Sequence, residues 1–97
     1  MTPQISQIVS AVAETISITE DEVVLRGLKA LLERNTIEMQ AQIQEIHNRY
    51  KISSLAEMEQ GYQAGTLHEN DSWRDFQRLD DLEYKRDRIK QLLESLT

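Results

Sequence analysis

The sequence predicts an all-α protein: a long antiparallel helical hairpin, coiled-coil-like in its spacing, with a short N-terminal helix and a short helix in the connector. Three observations support this fold class. Gly and Pro are scarce while Glu, Gln, Leu, Ile and Arg abound, a composition typical of helices. Two capping boxes mark helix starts. Two long segments carry apolar residues at steps of three and four, which places those residues on one helical face.

The central helix of this prediction covers residues 19–51. Thr19 and Glu22 form its capping box, and Ile18 and Val23 occupy the positions of a hydrophobic staple. Such a helix is about 45–50 Å long at 1.5 Å per residue. Its apolar stripe consists of Leu25, Leu28, Leu32, Thr36, Met39, Ile43, Ile46 and Tyr50.

A short connector helix is predicted over residues 54–64. Ser54 and Glu57 form the second capping box, and Gly65 is placed to end the helix in the left-handed conformation. Residues 66–72 form a polar loop, in which Asp71 or Ser72 caps the next helix.

The last helix is predicted over residues 73–95. Its apolar face pairs with that of residues 19–51, since two stripes of comparable length joined by a connector of about twenty residues favour a hairpin. Trp73 and Phe76 then lie near the connector, and we expect Arg86 to pair with a carboxylate of the facing helix. The stripe consists of Trp73, Phe76, Leu79, Leu82, Arg86, Ile89, Leu93 and Leu96.

Residues 1–17 form a separate, weaker unit, a short amphipathic helix from about Pro3 to Thr15, ahead of the hairpin of residues 18–97. Two interpretations stay open for it: it folds back on the hairpin as core, or it is an exposed or swapped segment that docks on a partner. Gly27 either admits another backbone closely or is a tolerated glycine at a cost of about 1 kcal/mol. The polar pair Asn35 and Thr36 fixes register, marks a bend or is locally solvated.

Charge and composition limit the classes of partner. A net charge of −6 disfavours binding to nucleic acid or to an anionic membrane, and suits a basic protein. The chain has no cysteine, which excludes disulfides and thiolate metal sites. No apolar run approaches the ~20 residues that a membrane span needs, and residues 5–13 lack the basic start of a signal peptide. We therefore expect a soluble, cytoplasmic protein.

No pattern indicates catalysis, a cofactor or a metal. The histidines, His47 and His68, lack the spacing of zinc or calcium ligands, and the sequence has no phosphate loop or nucleophile elbow. Adjacent carboxylates such as Asp80 and Asp81 are typical of an acidic helical chain. The basic run of residues 84–90 wraps around its helix between acidic residues, which favours a solvated face over a nucleic-acid interface.

A series of segments follows the helices of this prediction: residues 20–32, Arg49-Tyr50, residues 53–59, Gly65, residues 71–75 and residues 79–83. In these segments, over roughly residues 18–96, the sequence resembles a group of small, mostly uncharacterised helical proteins of cyanobacteria and archaea. The resemblance implies an antitoxin-like role, since some of the group are antitoxin-like and encoded beside small toxins. Two positions depart from the group's pattern: Lys51 stands where glycine is expected, and Asn70-Asp71 where His-Pro is expected before the tryptophan.

These observations predict a non-enzymatic protein-binding module, antitoxin-like by resemblance, that forms a homodimer. The alternative is a self-associating coiled-coil dimer with no toxin partner. The residues expected to contact a partner lie on the first helix and on the outer face of the long helix; they are Ile5, Ile8, Val12, Gln40, Gln44 and Glu45.

Overall fold

The computed structural model describes residues 1–96, which form four α-helices and no strand. They are α1 (Pro3–Ile16), α2 (Glu20–Tyr50), α3 (Leu55–Ala64) and α4 (Glu69–Ser95). The predicted fold class is confirmed: α2 and α4 form a long hairpin, α3 lies in the connector and α1 precedes it. None of these helices, within residues 1–96, is both long and apolar enough to cross a bilayer.

Contacts between α2 and α4 show that the two helices are antiparallel. Arg49 near the end of α2 pairs with Asp75 near the start of α4, and Arg78 donates to Gln42 one to two turns further on. At the other end, Leu28 and Leu32 share a groove with Leu92 and Leu96. We call the end that carries α3 the closed end, and the end where α2 starts and α4 finishes the open end.

The core lies at the closed end. Its buried side chains come from three helices: Ile43 and Ile46 of α2, Met58 of α3, and Leu79 and Leu82 of α4. Here α3 covers the hairpin and supplies the third layer that two helices alone lack. The molecule measures 61 × 24 × 17 Å, so most of its length is only two helices thick.

Towards the open end the stripes are only partly buried. Leu28 is 44% exposed and Leu92, beside the α4 stripe, is exposed as well, whereas Leu25, Leu32, Leu93 and Leu96 are half-buried. α1 contacts α2, but Ala13 is its only buried residue within the described chain. Neither interpretation of α1 holds alone, since the helix touches the hairpin and leaves most of its apolar face exposed.

The caps follow the predicted pattern at three positions. Thr19 and Ser54 accept hydrogen bonds from the N–H groups of Glu22 and Glu57, at 3.1 and 3.2 Å. Gly65 ends α3 with φ 76°. The reciprocal bonds differ from the capping-box expectation, because the Glu22 carboxylate accepts from Arg26 and the Glu57 carboxylate from the N–H of Ser53.

α4 begins at Glu69, four residues before the predicted start at Trp73. Neither Asp71 nor Ser72 acts as its cap; His68 is the N-cap and makes no side-chain cap bond. The Ser72 hydroxyl donates to the His68 carbonyl at 2.9 Å and lies 2.6 Å from the Tyr62 hydroxyl. The serine therefore holds the first turn of α4 against α3 from inside the helix.

Local contacts account for the other irregular positions of α2. Asn35 and Thr36 donate to the carbonyls of Leu31 and Leu32, four residues back, at 2.9 Å each. The polar break is thus satisfied within its own helix. Apart from the neighbouring backbone of α2 itself, no atom lies within 4 Å of where a Cβ of Gly27 would stand, so no other helix of the described chain approaches it closely.

Candidate protein-binding surfaces

A cluster of polar side chains fixes α2 against α4 at the closed end. Arg49 Nη1 lies 2.6 Å from Asp75 Oδ2, the Tyr50 hydroxyl donates to the same oxygen at 2.5 Å, and Arg49 Nη2 also contacts Glu45. The Tyr50 hydrogen bond, followed by Arg49, lowers the pKa of Asp75. Burial and then the neighbouring Asp75 raise the pKa of Tyr50, so the carboxylate stays ionised and the phenol neutral at neutral pH.

A second polar contact joins three helices beneath the connector. Glu83 Oε2 of α4 accepts from the backbone N–H of Leu55 in α3 at 3.1 Å. The same oxygen lies 3.9 Å from Nε2 of the buried His47 in α2, and that nitrogen has no hydrogen-bond partner among the described residues. With its carboxylate engaged by the N-terminus of α3, Glu83 holds the connector rather than offering a reactive group.

An aromatic–acidic cleft opens between α3 and the start of α4. Its floor is aromatic: Trp73 stacks on Phe76 with ring centroids 5.3 Å apart, and Tyr62 meets Phe76 edge-on at 5.6 Å. The cleft has a volume of about 340 Å³, and Trp73 is 46% exposed. Its lining residues are Glu59, Tyr62, Gln63, Glu69, Trp73 and Phe76.

The carboxylates of this cleft are available to a partner. Glu59 and Glu69 are exposed, and no ion pair of residues 1–96 involves either of them. An exposed tryptophan face beside two free carboxylates offers a cation both π contact and charge-assisted hydrogen bonds. The arrangement fits a lysine or arginine side chain.

A second surface lies at the open end and is apolar. Its first part is a groove of about 390 Å³ between α2 and α4, lined by Leu28, Leu32, Leu92, Ser95 and Leu96. The Ser95 hydroxyl donates to the Gln91 carbonyl at 2.9 Å, so the one polar side chain of the groove is already satisfied. Leu28 and Leu92 are exposed, whereas Leu32 and Leu96 are half-buried.

The second part of this surface is the exposed face of α1. Ile8 is 64% exposed, and the neighbouring apolar side chains of the helix are exposed too. The members of the α1 face are Ile5, Ile8, Val12 and Ile16. We call the groove and the α1 face together the open-end surface.

The residues that the sequence predicted to contact a partner lie on two helices. Ile5, Ile8 and Val12 belong to the open-end surface. Gln40, Gln44 and Glu45 are exposed on α2, where Gln44 donates to Asn48 and Glu45 pairs with Arg49 of the same helix.

Three cations of the basic run near the end of α4 are engaged by their own helix. Lys85 pairs with Asp81 at 2.8 Å and Arg86 with Asp87 at 3.0 Å, while Arg88 donates to Gln91. The expectation that Arg86 pairs across the hairpin is therefore wrong. Within residues 1–96 no three His, Asp or Glu side chains group as metal ligands.

Sequence reasoning missed the aromatic–acidic cleft, although a signal for it exists. Glu69 and Trp73 are four residues apart and Glu59 and Tyr62 three apart, and such pairs share a helix face. The sequence analysis started the last helix at Trp73, which left Glu69 in a loop, so the pair of Glu69 and Trp73 was not recognised. Because the cleft depends on how α3 packs against α4, the second pair alone did not reveal it.

Comparison with known proteins places the chain in a family. The family model of the uncharacterized protein MJ0235 family matches residues 1–97. The chain belongs to this family. The match includes α1, the hairpin and the connector, so both candidate surfaces lie within the MJ0235 family region. No curated protein and no solved structure matches the chain.

Proposed function

We propose that the protein is a non-enzymatic protein-binding module that holds a basic segment of another protein in the aromatic–acidic cleft. The observation that carries the proposal is the exposed face of Trp73 beside the unpaired carboxylates of Glu59 and Glu69. Tryptophan centred in a binding site is a frequent energetic anchor of protein interfaces. A lysine or arginine over its ring gains about 0.5–2 kcal/mol.

The charge of the whole molecule supports the same partner. A net charge of −6 attracts a basic protein over distance and raises its rate of association at low ionic strength. The polar cluster of Arg49, Tyr50 and Asp75 fixes the hairpin beside the cleft, so the binding groups are positioned before the partner arrives. Such preorganisation lowers the entropic cost of binding.

The more specific form of this proposal is an antitoxin-like role, in which the module covers a small basic toxin in the cytoplasm. Its support is the resemblance to small helical proteins of cyanobacteria and archaea, some of them antitoxin-like, together with the acidic balance of the chain. Gln40, Gln44 and Glu45 then provide a further polar contact on the outer side of α2.

Capture from the native cell tests this function. A tagged wild-type chain is expected to retain one small basic protein at a fixed ratio, identified by mass spectrometry. The charge reversals Glu59→Lys and Glu69→Lys are expected to abolish retention. Glu33→Lys is the matched control, because Glu33 is exposed on α2 away from the cleft, and it is expected to retain the partner.

The proposal is wrong if both cleft reversals retain the same partner as wild type. A second readout is the salt dependence of a purified complex: affinity that rests on ion pairs falls as sodium chloride rises, since ions screen the charges. An affinity unchanged between about 50 and 500 mM salt contradicts a charge-based cleft.

One observation favours a second candidate function, a self-associating structural module. The open-end surface is apolar and uncovered, which is the property of a surface that joins copies of one chain. In that case purified protein associates with itself, and capture returns only untagged copies of the bait.

A further inference from the structure

The protein exposes more surface than a compact chain of its size. Its accessible surface is 7273 Å², whereas a compact monomer of 11.3 kDa exposes roughly 5,700 Å². The difference is about 1,500 Å², larger than the about 800 Å² that each partner buries in a standard interface. The radius of gyration, 19.4 Å, also exceeds the about 12.5 Å of a compact domain of this length.

Much of the exposed apolar area lies at one end. Most of the large apolar side chains that are exposed in residues 1–96 belong to α1 or to the open ends of α2 and α4. Burying apolar area stabilises an association by about 25 cal/mol per Å². The closed end is already covered by α3. The open end is therefore the part of the molecule that gains most from association.

The charge of the open-end surface indicates which partner fits. α1 contains one ionisable side chain, Glu14, and the groove of Leu28, Leu32, Leu92, Ser95 and Leu96 contains none. A basic protein finds no carboxylate to pair with in the groove. Two copies of this chain, although each is acidic, meet here without bringing their charged faces together.

We propose that a second copy of the chain covers the open-end surface, so that the protein is a homodimer joined through α1 and the groove beside Leu28 and Leu92. The core of a stable dimer interface is apolar and depleted of charge, as are the groove and the exposed face of α1. A two-fold axis places the same surface on both partners. The aromatic–acidic clefts stay free, one on each subunit, so the dimer is bivalent.

This inference rests on the second candidate function, self-association, and concerns a surface other than the aromatic–acidic cleft. Failure of the cleft leaves the dimer standing, and failure of the dimer leaves the cleft standing. The cleft variant Glu59→Lys is accordingly expected to dimerise as wild type does.

Sedimentation equilibrium over a wide range of concentration tests the proposal on the full chain. Wild type is expected to reach twice the mass of 11.3 kDa. Ile8→Asp and Leu28→Asp are expected to raise the dimer dissociation constant at least about 100-fold, because each buries a charge in an apolar interface. Both positions are exposed in the single chain, so circular dichroism is expected to show full helicity for both variants.

Ile37→Asp is the matched control. Ile37 is 71% exposed but lies on the side of α2 opposite Leu28, at 100° per residue. The dimer dissociation constant of Ile37→Asp is expected to differ from that of wild type by less than about threefold. Salt provides the second readout: an apolar interface between two acidic chains does not weaken as sodium chloride rises.

Three results overturn the proposal. The first is a wild-type monomer at every concentration, whether α1 folds over the groove or a foreign protein fills it. The second is a dimer that Ile8→Asp and Leu28→Asp leave intact. The third is a dimer that Ile37→Asp disrupts as strongly as they do.

Discussion

Lys51 ends α2 in a conformation that suits glycine. Its φ is 55° and its ψ 48°, the left-handed region, which costs a residue with a Cβ roughly 1–2 kcal/mol. The N–H of Lys51 donates to the His47 carbonyl, so the turn closes the helix as a glycine would. The resemblance predicted glycine at this position, and the backbone shows why.

Replacing Lys51 with glycine is expected to raise the free energy of unfolding by about 1 kcal/mol, since the strain at the helix end is relieved. Lys29→Gly makes the same change inside α2, and there it is expected to lower stability by about 1 kcal/mol. Urea unfolding of both variants measures the difference. Loss of stability in Lys51→Gly contradicts the account of this helix end.

Asp75 gives stability a dependence on pH with a defined sign. Tyr50 and Arg49 lower its pKa below the ordinary 3.8, so the folded state binds the proton less tightly than the unfolded state. The ionised carboxylate therefore stabilises the fold fully above the unfolded pKa, near 3.8. That contribution is lost as pH falls through the lower, folded pKa.

Asp75→Asn is expected to lower stability at neutral pH and to flatten its fall between about pH 5 and pH 2. Thermal unfolding followed across this range provides the measurement. Asp80→Asn is the control, because Asp80 is exposed and belongs to no ion pair within residues 1–96, and it is expected to keep the wild-type slope. If the stability of Asp75→Asn falls with pH as steeply as that of wild type, the ionised Asp75 does not stabilise the fold.

At the scale of elements, the two halves of the hairpin differ in how they are covered. α3 packs over Ile43, Ile46, Leu79 and Leu82, whereas Leu28 faces solvent. The spacing of apolar residues predicted both stripes, because periodicity depends on helix geometry alone. It did not predict which half is covered, since that depends on where a third helix packs.

This difference sets the cost of truncation. Leu79→Ala is expected to lower the free energy of unfolding by about 2–5 kcal/mol, because it leaves a cavity in a closed core. In protein dilute enough to be monomeric, Leu28→Ala is expected to cost less than about 1 kcal/mol. Chemical denaturation at low concentration compares them, and equal losses mean that the open end is covered within one chain.

The sequence predicted some helix starts correctly and missed another. The starts of α2 and α3 were predictable because Thr19 and Ser54 cap them through their own side chains. The start of α4 was not, because His68 makes no side-chain cap bond and Ser72 bonds inward to α3. Local sequence signals a cap only where the capping side chain is local.

At the scale of the whole molecule, the two candidate surfaces lie at opposite ends of a chain 61 Å long. The charged cleft at the closed end suits a basic foreign segment, and the apolar surface at the open end suits a second copy. Composition predicted the acidic balance and the thin core, because both are properties of the sequence as a whole. The location of each surface could not be predicted, because it depends on how α1 and α3 pack against the hairpin.

Distances between labels on the two subunits test the central claim most directly. The chain has no cysteine, so Ser10→Cys on the polar side of α1 and Gln60→Cys on α3 each give one spin label per subunit. Pulsed electron paramagnetic resonance is expected to show a shorter distance between the Ser10 labels than between the Gln60 labels, because the open ends meet and the closed ends point apart. The reverse order, or no coupling between the Ser10 labels, contradicts a dimer joined at the open end.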